Sequence, residues 1–260
     1  MLSIEGLSVV FGGVSALSAV SFEAMPGEVI GIIGPNGAGK TTLFNAIMGL
    51  VSVNSGSVHL EGKDITGWPS ERIALAGIQR TLQTPQVFQQ ISVMDNLVAA
   101  GIAPKRPILT WAAFRLPAVR RSEVAAKIRA AAALEQSLLR EERHKMAGDL
   151  SFGHQRLLEI YRALMLNPKV VLLDEPLSGL TAQESQVVLE LVRSMRTAQR
   201  SVLLVEHHLP SVLSVADRVV VLAEGQVVAN DRPEVIQRDD TVMRVYLGEE
   251  DTGIETTGLL

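Results

Sequence analysis

The chain has 260 residues, enough to bury a full core as one large domain or as one domain with a subdomain. Hydrophobic residues make up 47% of it, which excludes overall disorder, and the lack of cysteine excludes a disulfide framework and thiol chemistry. The formal net charge of −4 argues against a nucleic-acid binder. No run approaches the ~18 apolar residues of a membrane-spanning helix, so any membrane association is expected to be peripheral.

The N-terminal segments alternate apolar and polar residues, as half-buried strands do. Residues 2–10 and 20–24 are predicted to form antiparallel strands, with Phe11 between them. An aromatic ring shortly before a phosphate loop can stack on a purine, whereas a lone Phe is more often a core residue. Phe11 is therefore either an adenine contact or part of the core.

A glycine-rich loop follows a buried strand over 28–33 and precedes a helix over 42–48. It fits G-x-x-x-x-G-K-[ST], the phosphate-binding loop, in which successive backbone N–H groups point at one anion. Lys40 is placed to reach the β- and γ-phosphates of a nucleotide, and the Thr41 hydroxyl is placed to ligate Mg²⁺. The strand and helix on either side disfavour the alternative of a chance Gly-rich turn. The predicted nucleotide-binding residues of the loop are Gly34, Pro35, Asn36, Gly37, Ala38, Gly39, Lys40, Thr41 and Thr42.

The middle of the chain is predicted to be a helical insertion, alanine-rich and broken by prolines, from Val93 to about Ala147. Between Asp95 and Gly148 it carries ten Lys and Arg against five Asp and Glu. This local positive charge indicates either a surface for a partner or a membrane, or an ordinary solvated helical face.

Two further apolar strands, over 170–173 and 201–205, each end in polar residues. Ligands of parallel α/β sheets bind at the carboxyl ends of strands, so these residues are expected near the phosphate loop. Asp174 is predicted to hold Mg²⁺, usually through water, and Glu175 to polarise the attacking water, with a helix N-cap as the alternative. His207 is predicted to contact the γ-phosphate, with a satisfied core histidine as the alternative.

Several ordered motifs resemble those of the ATP-binding subunits of ABC transporters. In that resemblance Phe11 takes the place of the adenine-stacking aromatic, 34–42 is Walker A, and 170–175 is Walker B with the general base. Gln83 takes the place of the Q-loop glutamine, a sensor of Mg²⁺ and of the attacking water, and His207 that of the switch histidine. The signature motif, usually Leu-Ser-Gly-Gly-Gln, corresponds to Leu150-Ser151-Phe152-Gly153-His154-Gln155, and the D-loop to Ser178-Gly179-Leu180-Thr181.

Four positions depart from that family's pattern. Phe152 replaces a signature glycine, and His154 replaces the signature glutamine. Thr181 replaces the usual D-loop Asp or Asn, and His208 stands where Asp is common. The resemblance implies that these departures bear on signature contacts and on communication within a dimer, whereas the residues expected to serve hydrolysis are all present.

A finer resemblance is to importers of branched-chain amino acids and related amides, and to the larger of their two ATPase subunits. It depends on the long helical insertion and on four short stretches: 90–97, 158–160, Glu206-His207 and Tyr246-Leu247-Gly248. The transported solute itself stays open, because an ATPase subunit does not touch it.

The resemblance implies an α/β fold with a phosphate-loop NTPase (RecA-like) core, an N-terminal antiparallel β subdomain and an inserted α-helical subdomain. We expect a single ABC ATPase domain over 1–260. Residues 1–88 and 164–248 would form the core with its β subdomain, and 89–163 the helical subdomain with the signature motif. Residues 249–260 would form a flexible acidic tail.

The resemblance also implies a head-to-tail dimer that binds ATP and Mg²⁺. Ser151, Phe152, Gly153 and His154 of one subunit would cover ATP held by the other, and Thr41, Gln83 and Asp174 would serve the metal. The catalytic residues would be Glu175, His207, Gln83 and Lys40. Hydrolysis would drive import at the cytoplasmic face of the inner membrane.

The implied partners are a second ATPase subunit, either the same chain or a paralogue, and two transmembrane permease subunits. A periplasmic or extracellular solute-binding protein would take part indirectly, and no nucleic acid is expected. Two other functions stay open: a non-transport ABC protein acting on DNA or ribosomes, and a binding module whose hydrolysis is impaired. The chain carries neither a very long coiled-coil insertion nor a tandem ATPase unit, which mark the two commonest non-transport types.

Overall fold

The computed structural model describes residues 1–102, 117–135, 137–197, 199–242 and 244. The chain divides into two compact units, which are described separately. The first comprises Met1–Ala74 together with the described residues from Val192 onward, and the second is Leu75–Leu191. The predicted helical subdomain, 89–163, falls inside the second unit, and its boundaries stay a prediction. The predicted tail, 249–260, and Lys105, Arg106 and Arg115 of the basic segment lie outside the described residues.

The first unit contains an antiparallel sheet and a run of mostly parallel strands. The strands are β1 (Leu2–Phe11), β2 (Val14–Ala24), β3 (Val29–Ile33), β4 (Ser55–Leu60), β5 (Lys63–Asp64), β8 (Ser201–Val205), β9 (Arg218–Ala223) and β10 (Gln226–Asp231). The antiparallel sheet has the order β2-β1-β4-β5, and the second run has the order β10-β9-β3-β8. The helices of this unit are α1 (Lys40–Ile47), α7 (Leu209–Val215) and α8 (Pro233–Ile236), while α2 (Ser70–Ala76) crosses the boundary between the units.

The burial pattern explains both kinds of sheet. Strand β1 buries Leu2, Ser3 and Ile4 in succession; beyond a register shift against β2 it alternates, with Leu7 and Val9 buried, because one face packs on the core and the other faces water. Every residue of β3 and of β8 is buried, as expected of parallel strands covered on both faces. Strand β3 pairs in parallel with both β8 and β9. The predicted α/β class with N-terminal antiparallel strands is confirmed.

The second unit contains a parallel strand pair and, among the described residues, four further α-helices. Strand β6 (Ile78–Arg80) pairs with β7 (Val170–Asp174), which is buried along its whole length. The helices are α3 (Val93–Gly101), α4 (Pro117–Glu135), α5 (Phe152–Leu164) and α6 (Ala182–Ser194), the last of which ends just beyond the boundary of the unit. A 3-10 turn over Ala147–Asp149 precedes α5. Among the helices that the structure describes, none combines the length and the apolar character needed to cross a membrane.

Candidate nucleotide and hydrolysis site

The phosphate loop in the first unit joins the buried strand β3 to helix α1. Its tip, Asn36-Gly37, is exposed, whereas Lys40 is only 6% exposed. The Lys40 ammonium donates to the carbonyl oxygens of Gly34 at 2.5 Å and Pro35 at 2.7 Å, so the cation lies under the loop. A cation and a helix N-terminus at one loop suit an anion such as a phosphate.

Gly39 shows why this loop needs glycine. It is the N-cap of α1 with φ 100°, a left-handed conformation that strains any residue with a Cβ. A Cβ at this position would also lie 2.6 Å from the Ala16 carbonyl oxygen. On the other side of the loop, the Gly225 N–H donates to the Ala38 carbonyl at 3.1 Å, so the turn between β9 and β10 fixes the loop.

Phe11 lies at the tip of the β1–β2 hairpin. It pairs with Val14 across the two-residue turn Gly12-Gly13, whose φ angles of 55° and 88° are those that a tight hairpin turn requires. Phe11 is 49% exposed, which excludes the core interpretation. Its contact with adenine stays a prediction.

If Phe11 stacks on adenine, Phe11→Ala should weaken ATP binding by about 1 kcal/mol, or roughly fivefold. The loss should be confined to the base, so the affinity for inorganic tripolyphosphate should not change. Val14→Ala is the control, because it removes an aliphatic side chain that is 70% exposed on the same hairpin. Calorimetric titration of the three proteins with both ligands measures this. Equal ATP affinity in all three would remove Phe11 from the nucleotide site.

His207 follows β8, as predicted, and its side chain is exposed, so it is not a core histidine. The preceding Glu206 is only 4% exposed. His208 is the N-cap residue of α7, and its Nδ1 lies 2.7 Å from the Ser211 hydroxyl. Its side chain makes no capping hydrogen bond to the helix backbone, and the γ-phosphate contact of His207 stays a prediction.

The second unit brings Gln83, Asp174 and Glu175 together. Gln83 Nε2 donates to Glu175 Oε2 at 2.8 Å. Glu175 directly follows the buried strand β7 and has φ 47°, a left-handed conformation that is unfavourable for a residue with a side chain. Strain of this kind clusters at functional sites, because it points a side chain where a regular strand would not.

Arg80, which the sequence interpretation missed, pairs with Asp174. Its Nη2 lies 2.6 Å from Asp174 Oδ2, and the two side chains are 7% and 6% exposed. The pairing of β6 with β7 brings them together, and the only sequence signal was a basic residue three positions before Gln83. Since this carboxylate already has a charged partner, water-mediated metal contact suits it better than direct ligation.

Two residues predicted to serve Mg²⁺ have the oxygen atoms that this ion prefers. In the first unit, the Thr41 hydroxyl belongs to an exposed residue at the start of α1. In the second unit, Asp174 supplies a carboxylate at the end of β7. Mg²⁺ in nucleotide sites usually takes one or two protein oxygens together with phosphate and water oxygens. Each residue is therefore of a type that fits the ion, and a shared site stays a prediction.

The signature segment forms the N-terminus of α5. Ser151 is the N-cap, and its hydroxyl accepts from the His154 N–H at 3.2 Å. A Cβ on Gly153 would lie 2.2 Å from Glu184 Oε1, so the glycine lets that carboxylate lie close to the start of α5. Ser151 and Phe152 are exposed, which leaves this helix end accessible to a ligand or a partner.

The unusual residues of this segment have structural partners. Phe152 packs on Gly179 of the D-loop segment, since a Cβ there would lie 3.1 Å from the ring. His154 Nδ1 lies 2.6 Å from Glu142 Oε2.

Thr181, another residue that departs from the family pattern, directly precedes α6 and forms a reciprocal cap with Glu184. The Glu184 carboxylate accepts from the Thr181 N–H and hydroxyl, both at 2.9 Å, and the Glu184 N–H donates to that hydroxyl at 3.3 Å. These hydrogen bonds, the backbone one first, lower the pKa of Glu184.

The fold and the loop define a phosphate-loop nucleotide-binding protein, and comparison with known proteins gives the family. Residues 17–178 match the model of the ABC transporter family. The chain is 37% identical over 250 residues to the high-affinity branched-chain amino acid transport ATP-binding protein LivG of Escherichia coli strain K12. That alignment covers 96% of this chain and 98% of LivG. The corresponding protein BraF of Pseudomonas aeruginosa is also 37% identical, over the same shares of the two chains.

A solved structure agrees with these sequence matches. The ADP conformation of MJ1267, an ATP-binding cassette of an ABC transporter, superposes with a TM-score of 0.82 at 33% identity. The superposition covers 95% of this chain and 98% of MJ1267. The protein belongs to the ABC transporter family, in its ATP-binding branch. The resemblance to ATP-binding subunits of ABC transporters and the predicted fold class are thereby confirmed.

Proposed function

We propose that this protein is the ATP-hydrolysing subunit of an importer for branched-chain amino acids or related amides. The observation that carries the proposal is a phosphate loop and an acidic strand end in a chain that matches LivG and BraF along nearly its whole length. ATP is the substrate, and Mg²⁺ bound with it neutralises phosphate charge.

Each predicted residue then has a role in hydrolysis. Lys40 and the N–H groups of the loop hold the β- and γ-phosphates, and Phe11 holds the adenine. Glu175 polarises the attacking water, and Gln83 orients this carboxylate through its hydrogen bond of 2.8 Å. His207 contacts the γ-phosphate.

The working form in this proposal is a head-to-tail pair of ATPase subunits on two membrane permease subunits. Ser151 and its neighbours, at the exposed start of α5, cover ATP held by the second subunit, because a helix N-terminus suits an anion. The subunit then lies peripherally at the cytoplasmic face of the inner membrane.

Reconstitution tests this function. The purified chain should release phosphate from Mg-ATP. Proteoliposomes that contain it with its permease and solute-binding partners should take up labelled leucine or isoleucine only when ATP is enclosed. Urea should be tested in parallel, because an amide importer would take it up instead. ATP binding without phosphate release would favour a binding module, and ATPase activity without uptake of any of these solutes would refute the transport assignment.

A further inference from the structure

Helix α5 holds the segment that carries Gln83 through two side chains one helical turn apart, Arg156 and Glu159. Arg156 is fully buried, and its guanidinium donates to the carbonyl oxygens of Leu82, at 2.5 Å, and Gln83. Glu159 Oε1 accepts from the backbone N–H groups of Leu82 and Gln86, both at 3.2 Å. The two side chains also pair with each other at 2.8 Å. We call Arg156 and Glu159 the α5 clamp.

The α5 clamp replaces the hydrogen bonds that a regular element would provide. Residues 81–86 form neither helix nor strand, so their peptide groups depend on other partners. The clamp satisfies two carbonyl groups and two N–H groups of this segment. It thereby fixes the backbone of Gln83, whose side chain reaches Glu175 at 2.8 Å.

Stability alone is a poor explanation for a buried pair of charges. Burial raises the pKa of Glu159 against the opposing effects of its hydrogen bonds and of Arg156, so burying this carboxylate carries a cost in free energy. Well-packed apolar residues usually stabilise a protein as well as a buried ion pair or better. What apolar residues could not do is hold four peptide groups in one arrangement.

We propose that Arg156 and Glu159 are positioning residues for ATP hydrolysis, which hold Gln83 against Glu175. The same helix begins at Ser151, so the clamp also connects the signature segment to the catalytic carboxylate of the same subunit. This inference rests on the proposed ATPase function and adds to it two residues that act through the segment of Gln83.

The test compares Glu159→Gln and Arg156→Lys with the parent protein. Glutamine keeps an acceptor for the N–H groups but loses the charge that pairs with Arg156, and lysine cannot span two carbonyls and a carboxylate. Both should lower kcat for ATP about ten- to a hundredfold, the scale expected of a misplaced catalytic group. The KM for ATP should stay unchanged, because the phosphate loop is intact.

Arg129→Lys is the matched control. Arg129 also donates to two backbone carbonyls in the same unit, those of Met165 at 3.2 Å and Gly101 at 2.8 Å, away from the Gln83 segment. Arg129→Lys should change the melting temperature at least as much as the clamp variants do, but it should have little effect on kcat. If Arg129→Lys lowers kcat as much as Arg156→Lys, the effect is one of general stability and the proposal fails.

The decisive measurement combines the clamp variants with Gln83→Ala. If the clamp acts through Gln83, Glu159→Gln should lower kcat no further in the Gln83→Ala protein. If the two substitutions instead lower kcat independently, so that the double variant loses the product of the two single factors, the proposal is overturned. A parent protein without any ATPase activity would instead refute the proposed function, so the two failures can be told apart. Should Arg156→Lys not fold, Glu159→Gln alone decides the result.

Discussion

Glu175→Gln should reduce ATP hydrolysis by a factor on the order of 10² to 10⁴, the contribution typical of a positioned general base. In the parent protein, Gln83 Nε2 donates to Glu175 Oε2 at 2.8 Å. Glutamine keeps the shape of the side chain and an oxygen that can accept this hydrogen bond, but it lacks the basicity needed to polarise water. ATP binding should survive, because Lys40 and Thr41 are untouched. The loss should therefore appear in kcat and not in the affinity for ATP.

Phosphate release and equilibrium ATP binding by Glu175→Gln measure both quantities. The ATP-bound closed dimer should also accumulate, since closure needs ATP and opening needs its cleavage. Size-exclusion chromatography with Mg-ATP would detect this dimer, provided that the chain pairs with itself. Hydrolysis at the parent rate would show that another residue is the base, with His207 as the first candidate.

Lys40→Ala provides the contrasting variant. Its ammonium is buried under the loop and hydrogen-bonded to two loop carbonyls, so the substitution removes the cation that we propose binds the phosphates. This variant should lose nucleotide affinity and should form no closed dimer at any ATP concentration. Strong ATP binding by Lys40→Ala would place the phosphates elsewhere.

The strands that carry the site could be predicted well because they are short and mostly apolar. Strands β3, β7 and β8 are buried throughout, and a motif residue stands at the end of each strand or close after it. The phosphate loop is equally local, since its pattern of glycines is dictated by backbone conformation. Such features need no knowledge of distant residues.

Contacts between distant residues could not be predicted in the same way. The ion pair of Arg80 with Asp174 joins residues 94 positions apart, and it depends on the register of β6 with β7. Arg156 and Glu159 follow the pattern of an amphipathic helix with a solvated face, yet both side chains are buried. Their partners are backbone groups of an irregular segment, which no pattern of side chains reveals. The positive φ of Glu175 is likewise invisible in the sequence.

The final prediction concerns a shallow groove in the second unit, the part of the chain that follows Gln83. The groove has a volume of about 650 Å³, and its lining consists of Val87, Phe88, Gln89, Gln90, Ile91 and Ala99. Phe88 is 53% exposed, and the Arg162 guanidinium lies 4.6 Å from the centre of its ring. The buried Asn96 fixes the groove, because it exchanges two hydrogen bonds of 2.9 Å with the Phe88 backbone. A rigid, exposed apolar surface of this kind suits a helix of a permease subunit.

Phe88→Asp should abolish transport while basal ATPase activity stays intact. The new carboxylate would make the groove unfavourable for an apolar helix, but it would lie near the Arg162 guanidinium and so should not unfold the segment. Phe88→Leu should retain transport, since it keeps the apolar surface. Ile128→Asp is the control for an added charge, because Ile128 is 66% exposed on α4, outside the groove lining. The measurements are copurification with the permease subunits, ATP-driven uptake and phosphate release. Normal assembly and uptake by Phe88→Asp would show that the permease binds elsewhere.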